Sequence, residues 1–262
     1  MLSDRGKSEQ FWDTDEFFET GRVEVAVVMD RLAALKALPD PRGAFLDFGC
    51  GVGRVSRVLM EYFMTGYGID ISPTMIERAK QYSADDRRKP FYIVNEHEHL
   101  NILPSDSIDF VYSHIVLQHL PRRLQPVLVS EFLRVLRRGG IAAFQVPTAD
   151  LETWMGRRVK SAKRAVRHVL SPESTRRLKR MLGRSDATAG VVMDMNVLSE
   201  NDVRAIIVRS GCSLLAAPFT NSTDTNHRGR VQFMTRDQAL RHAESGESDS
   251  RLLSQFFFVR KK

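Results

Sequence analysis

Three glycines, Gly49, Gly51 and Gly53, alternate with other residues directly after the apolar run Phe45, Leu46 and Phe48, and an acidic residue, Asp70, closes the run Gly68-Ile69-Asp70. Val55, Val58, Leu59 and Phe63 recur at helical spacing beyond the glycines, so the glycines fall on a strand-to-helix turn. Glycine there permits a tight backbone turn and lets a ligand reach main-chain atoms that a Cβ would screen, while the helix start offers unpaired N–H groups. Asp70 lies where a carboxylate can take ribose hydroxyls. The spacing predicts a pocket for a nucleoside cofactor. A dinucleotide fingerprint would place its third glycine after two intervening residues; here the glycines alternate and Arg54 follows, which argues against a nicotinamide dinucleotide.

Two histidines could move protons. Ser113-His114-Ile115-Val116-Leu117-Gln118-His119 follows an apolar strand, and ligands of parallel sheets bind at carboxyl strand ends, so His114 and His119 are candidates for a general base. His114 is the nearer group; His119 also reads as a helix or packing residue. Asn95-Glu96-His97-Glu98-His99 sets two histidines among glutamates, yet a metal would need further ligands converging from elsewhere, and no H-E-x-x-H signature is present. The reading is therefore a solvated loop with no metal.

Four blocks occur in the order found in one family: LDFGCGVGR (46 to 54), YGIDISPTMIERAK (67 to 80), SDSIDFVYSHIVLQHLP (105 to 121) and EFLRVLRRGGIAAFQVP (131 to 147). On these the chain resembles the class I, Rossmann-like methyltransferases that use S-adenosylmethionine, firmly over residues 10 to 148 and loosely over 193 to 262. The resemblance implies an enzyme with S-adenosylmethionine as its cofactor. Asp47, Gly49, Cys50, Gly51 and Gly53 would line its methionine side, Asp70 would take the ribose, Ile71 and Met75 would flank the adenine, and Ser113 would lie beside them. Asn95, Glu96 and His97 are alternative partners for the adenine amine. Asp47 could equally tie down local N–H groups. The strand end at Ser113 lacks the Asn or Asp, two prolines and aromatic of enzymes that methylate nucleobase amines.

These residues need a scaffold of alternating elements. An intermittent apolar face from Gln10 to Ala37 predicts an N-terminal helical segment over 1–40, ended by Pro39-Asp40-Pro41. Strands near 44–48, 66–70, 91–95 and 108–112 alternate with helices over 53–64 and 73–82. A helix over 123–137, stopped by Gly139-Gly140, leads to a strand over 141–146. Ser199 is a candidate N-cap for a helix through Val208, and Leu214–Ala217 and Gln255–Arg260 read as strands. Residues 221–230 and 243–251 read as surface loops. The fold class is α/β, doubly wound, with a mostly parallel seven-stranded sheet, helices on both faces, an antiparallel last strand and a basic helical insertion after the fifth strand. The core spans 41–148, the insertion 149–190, and 191–262 completes the same domain.

The net charge of +7 is concentrated. Residues 157–184 hold eleven Arg or Lys against Glu173 alone, about +10, which leaves the rest near −3. Trp154 to Leu170 reads as a basic amphipathic helix, with Met155, Val159, Ala162 and Val166 on one face. The plain reading is a lid over the substrate opening. An anionic membrane surface is a further partner for residues 154–184, and nucleic acid is disfavoured because aromatic residues are nearly absent there. Cys50 and Cys212 are the two cysteines, so a disulfide framework is not expected, and no apolar stretch is long enough to cross a bilayer. The expected location is cytoplasmic, peripheral to a membrane if the basic segment docks there. The expected function is methyl transfer to oxygen or nitrogen of a small molecule, sugar or lipid-linked glycan. The alternative is a noncatalytic S-adenosylmethionine-binding regulator docking through its basic segment on membrane or nucleic acid.

Overall fold

The computed structural model describes residues 14–151, 195–221, 231–244 and 252–262. The chain separates into two units, Met1–Asp150 with Asn196–Lys262, and Leu151–Met195. The expected basic helices of 154–184 lie outside the described residues, as does most of the loop expected over 221–230.

In the first unit α1 (Thr14–Ala34) precedes β1 (Ala44–Phe48), α2 (Arg54–Tyr62), β2 (Thr65–Asp70), α3 (Pro73–Tyr82), β3 (Phe91–Val94) and β4 (Ile108–Ser113). A 3-10 turn (Leu117–His119), α4 (Leu124–Val135) and β5 (Leu136–Asp150) follow. After Asn196 come α5 (Glu200–Arg209), β6 (Cys212–Ala216), β7 (Phe219–Thr220), β8 (Phe233–Met234), α6 (Arg236–Glu244) and β9 (Leu252–Lys261).

β3, β2, β1, β4 and β5 are adjacent in that order and parallel, and β9 runs antiparallel beside β5. β6 and β7 both pair with β9. Seven strands fulfil the expectation, and two short ones, β7 and β8, extend the sheet. Strand order reverses between β1 and β4, the switch point at which open α/β sheets bind ligands.

Side chains alternate across the sheet with the strand period of two. Phe45, Phe110, Tyr112, Phe256 and Phe258 pack with Val25, Val28 and Leu32 of α1 and Val58 of α2. Leu46, Val111, Phe144, Phe257 and Val259 pack on the other face with Phe132 of α4 and Val203 and Ile207 of α5. Each fully buried phenylalanine contributes about 1.5–3 kcal/mol.

Two local expectations need correction. Gly139 and Gly140 do not stop a helix: α4 ends at Val135, and the pair lies where β5 shifts register against β4, between the pairs Ile108↔Leu136 and Phe110↔Ile141. Gly139, at φ +80°, supplies the left-handed residue of that excursion. Residues 243 and 244, expected in a loop, belong to α6, which continues through Glu244, and 245–251 lie outside the described residues. The Ser199 cap is present, its Oγ accepting the Asp202 amide at 3.2 Å.

Candidate active site

The glycine turn is stitched to the neighbouring strand. The amides of Gly49 and Cys50 donate to the Ile69 carbonyl at 2.7 and 3.1 Å, and the Gly51 amide donates to Asp70 Oδ2 at 2.9 Å. Asp70 Oδ1 accepts the Ser72 amide at 2.9 Å, so this carboxylate fixes the turn after β1 and the entry to α3 together. Gly51 has φ +54°, and a Cβ there would meet nothing within 4 Å. That open, backbone-lined face beside Asp70 is the kind of cradle a nucleoside cofactor needs, and the residues fit it.

Asp47, at the end of β1, is buried and accepts Ser56 Oγ at 2.6 Å. Burial pushes its carboxyl up to about 7, with Glu24 and Asp70 adding to the rise and Ser56 and Arg54 opposing it. Cys50 is buried, and burial first, then Asp47 and Asp70, holds its thiol protonated. Ile71 is 66% exposed beside Asp70, and Met75 is half-buried in the first turn of α3. Asn95 is buried: its amide donates to the Asp70 carbonyl at 3.0 Å and its side chain to the carbonyls of His97 and His99. Glu96 and His97 are exposed. Among the described residues no cluster of three or more His, Cys, Asp or Glu could hold a metal.

The loop after β4 leans on the glycine turn. A Cβ on Gly49 would stand 2.2 Å from Val116 Cγ2. Ile115, a β-branched residue, has φ +58°, a conformation such residues rarely adopt, and its amide is held by Gln145 Oε1 at 3.2 Å. Gln145 in turn donates to Gln118 Oε1 and Ser254 Oγ at 3.3 and 2.8 Å, which locks the loop to β5 and β9. Ser113 Oγ is buried without a hydrogen-bond partner among the described residues.

His114 and His119 differ sharply. His119 sits in the 3-10 turn with Nε2 3.3 Å from Gln118 Nε2; burial lowers its pKa, and among the described residues no carboxylate pairs with it. The His114 side chain is 5% exposed, and its Nδ1 lies 3.0 Å from Glu24 Oε1 of α1. Glu24 also accepts Tyr112 Oη at 2.6 Å and Arg54 Nη2 at 2.7 Å. Gly21 makes this approach possible, since a Cβ on it would stand 2.6 Å from the Arg54 carbonyl.

Glu24 and Arg54 were not among the sequence-derived candidates. A signal existed: Glu24 falls on the apolar stripe of α1 beside Gly21, Val25 and Val28. A carboxylate on a core-facing stripe needs a buried partner.

The switch point, the glycine turn and the hydrogen-bonded Asp70 carboxylate at the end of β2 give a Rossmann-like fold with a backbone-lined cradle. Residues 46–144 match the family model described as a methyltransferase domain. A hydroquinone enzyme of Synechocystis, 2-methyl-6-phytyl-1,4-hydroquinone methyltransferase, is 34% identical over 125 residues, 47% of this chain and 38% of that protein. Trans-aconitate 2-methyltransferase of Streptomyces avermitilis is 28% identical over 141 residues, 52% of this chain and 51% of that one. The chain thus spans about half or less of the length of these curated relatives. The crystal structure of magnesium protoporphyrin IX methyltransferase from Synechocystis with bound SAH superimposes at a TM-score of 0.55 and 19% identity, covering 98% of this chain and 90% of that one. Residues 46–144 are thus similar to a methyltransferase domain, and the fold is shared with a solved methyltransferase.

Proposed function

We propose that this protein transfers a methyl group from S-adenosylmethionine to oxygen or nitrogen of a small molecule, with a sugar or lipid-linked glycan within its acceptor range. The observation that supports it is the joining of two loops across the switch point: the Gly51–Asp70 cradle on one side and the His114 loop, seated on Gly49 through Val116, on the other. When bound, S-adenosylmethionine supplies an electrophilic methyl on a sulfonium, a leaving group that needs no acid. The chain must therefore hold, align and deprotonate.

Asp70 would take the ribose hydroxyls without losing its amide contacts, because a carboxylate has about four acceptor sites. Asp47 would face the methionine end, Ile71 and Met75 the adenine, and Asn95, Glu96 or His97 its amine. His114 would take the acceptor's proton at Nε2, and the new bond to the methyl carbon forms as that proton leaves. The basic residues of 157–184 favour an anionic acceptor or surface.

Incubation with methyl-labelled cofactor and fractionated cell extract tests the activity. Label should move to a small-molecule fraction, and cofactor binding with no transfer to any fraction would overturn the enzymatic reading. Asp70→Ala should weaken cofactor binding by about 1–3 kcal/mol in calorimetry; unchanged affinity would remove the ribose assignment.

A further inference from the structure

One carboxylate takes no part in the reading above. Glu24 lies 0% exposed on α1, and donors from three elements converge on it: Arg54 from α2, Tyr112 from β4 and His114 just beyond β4. We infer that Glu24 is a positioning residue that fixes His114 in the tautomer with Nδ1 protonated and Nε2 bearing the lone pair, and ties that ring to the glycine turn through Arg54.

Donors and acceptors around Glu24 must balance. Burial alone would raise the Glu24 carboxyl, but the Arg54 guanidinium, His114 and the two hydrogen bonds outweigh it and hold Glu24 well below the usual carboxylate range. An ionised carboxylate only accepts. The nitrogen 3.0 Å from it must therefore carry a proton, so that whenever the ring is neutral its lone pair lies on Nε2. That atom is buried and has no hydrogen-bond partner among the described residues. The ring is wedged between Tyr112 and Phe256, with centroids 6.3 and 5.7 Å away, which fixes the direction of Nε2.

Arg54 is the first residue of α2, directly after Gly53, so the ion pair that charges Glu24 also anchors the far end of the cofactor turn. Among the described residues, the charged and titratable groups around the ring are Glu24 on α1, Arg54 on α2 and Tyr112 on β4, with Asp47 on β1 acting on Arg54.

This inference rests on the proposed methyl transfer, and its test has a readout independent of it. Nitrogen-15 spectra of the full chain, labelled at histidine and recorded across pH 5–9, report which His114 nitrogen is protonated; His114→Asn assigns the signal. Protonated Nδ1 in the neutral ring supports the inference, and protonated Nε2 overturns it without any variant having to fold. In Glu24→Gln the amide can donate to Nδ1, so the His114 signal should move toward the other tautomer. Methyl-transfer kcat should then fall by at least about tenfold, with the cofactor KM changed little. Glu24→Asp should recover part of the loss. A folded Glu24→Gln with an unmoved His114 signal would overturn the positioning role. Protonated Nδ1 in a protein that transfers methyl to no acceptor would support the positioning and overturn the enzymatic reading alone.

Discussion

Val116 Cγ2 lies 2.2 Å from the place a Cβ on Gly49 would occupy, so the loop after β4 is keyed into the turn after β1. Gly49 is required by space and by its φ of +77°, whereas Gly51 is required by φ alone. Gly49→Ala should lower the unfolding free energy by about 2–4 kcal/mol through left-handed strain plus overpacking. Gly51→Ala should cost about 1–2 kcal/mol in stability yet weaken cofactor binding by at least about tenfold, ~1.4 kcal/mol. Urea unfolding and calorimetry on the two variants separate the effects.

Asp47 makes stability depend on pH in the opposite sense to most carboxylates. It ionises near 4 in the unfolded chain and at about 7 when folded, so its protonated form is the one the fold favours. That contribution is complete below about pH 4 and is lost as pH rises toward 7, at most about 4 kcal/mol. Glu24 runs the other way: its carboxyl is depressed, and its contribution is lost as pH falls below the ordinary carboxylate range. Asp47→Asn, which can still accept Ser56 Oγ, should therefore flatten the decline in urea midpoint between pH 5 and 7. An undiminished decline would show that another group causes it.

Arg54 supplies the cation of a buried pair, its side chain 20% exposed against 0% for Glu24. Arg54→Met leaves the carboxylate buried without it and should destabilise by about 3–5 kcal/mol. Adding Glu24→Gln should restore much of that loss, and the double-mutant cycle of thermal unfolding measures the coupling.

Much of this scaffold is legible from residue order. Short apolar runs around Phe45, Phe110 and Phe256 mark strands buried on both faces, the Ser199 cap marks a helix start, and Asp70 is placed by the length of one βα unit. Gly139-Gly140 misleads because a basic turn followed by glycine is written alike for a helix stop and for a bulge, and only the register against β4 decides between them. β7 and β8, two residues each, carry too little pattern to be seen. The Glu24 centre escapes for another reason. The donors lie 30 to 90 residues from Glu24, so their meeting depends on tertiary packing rather than local spacing.

Ile115 holds a left-handed backbone at a β-branched residue, with its amide fixed by Gln145. Ile115→Gly should relieve the strain and leave stability unchanged or higher by about 1 kcal/mol, the unfolded chain's extra freedom offsetting part of the gain. The released loop should lower kcat while cofactor affinity holds. Parallel unfolding and kinetic measurements check this, and an unaltered kcat would show that the backbone kink is incidental.

The absent side chain at Gly21 has a consequence for how such a molecule could change. It admits the first helix to the carbonyl of Arg54, and that helix then lends the reaction centre its anion. The carboxylate beside the proposed base His114 thus sits on a piece of chain separate from the backbone cradle of β1 and β2. Exchanging that one helix would alter the hold on His114 and, through Arg54, the start of the helix behind the glycine turn.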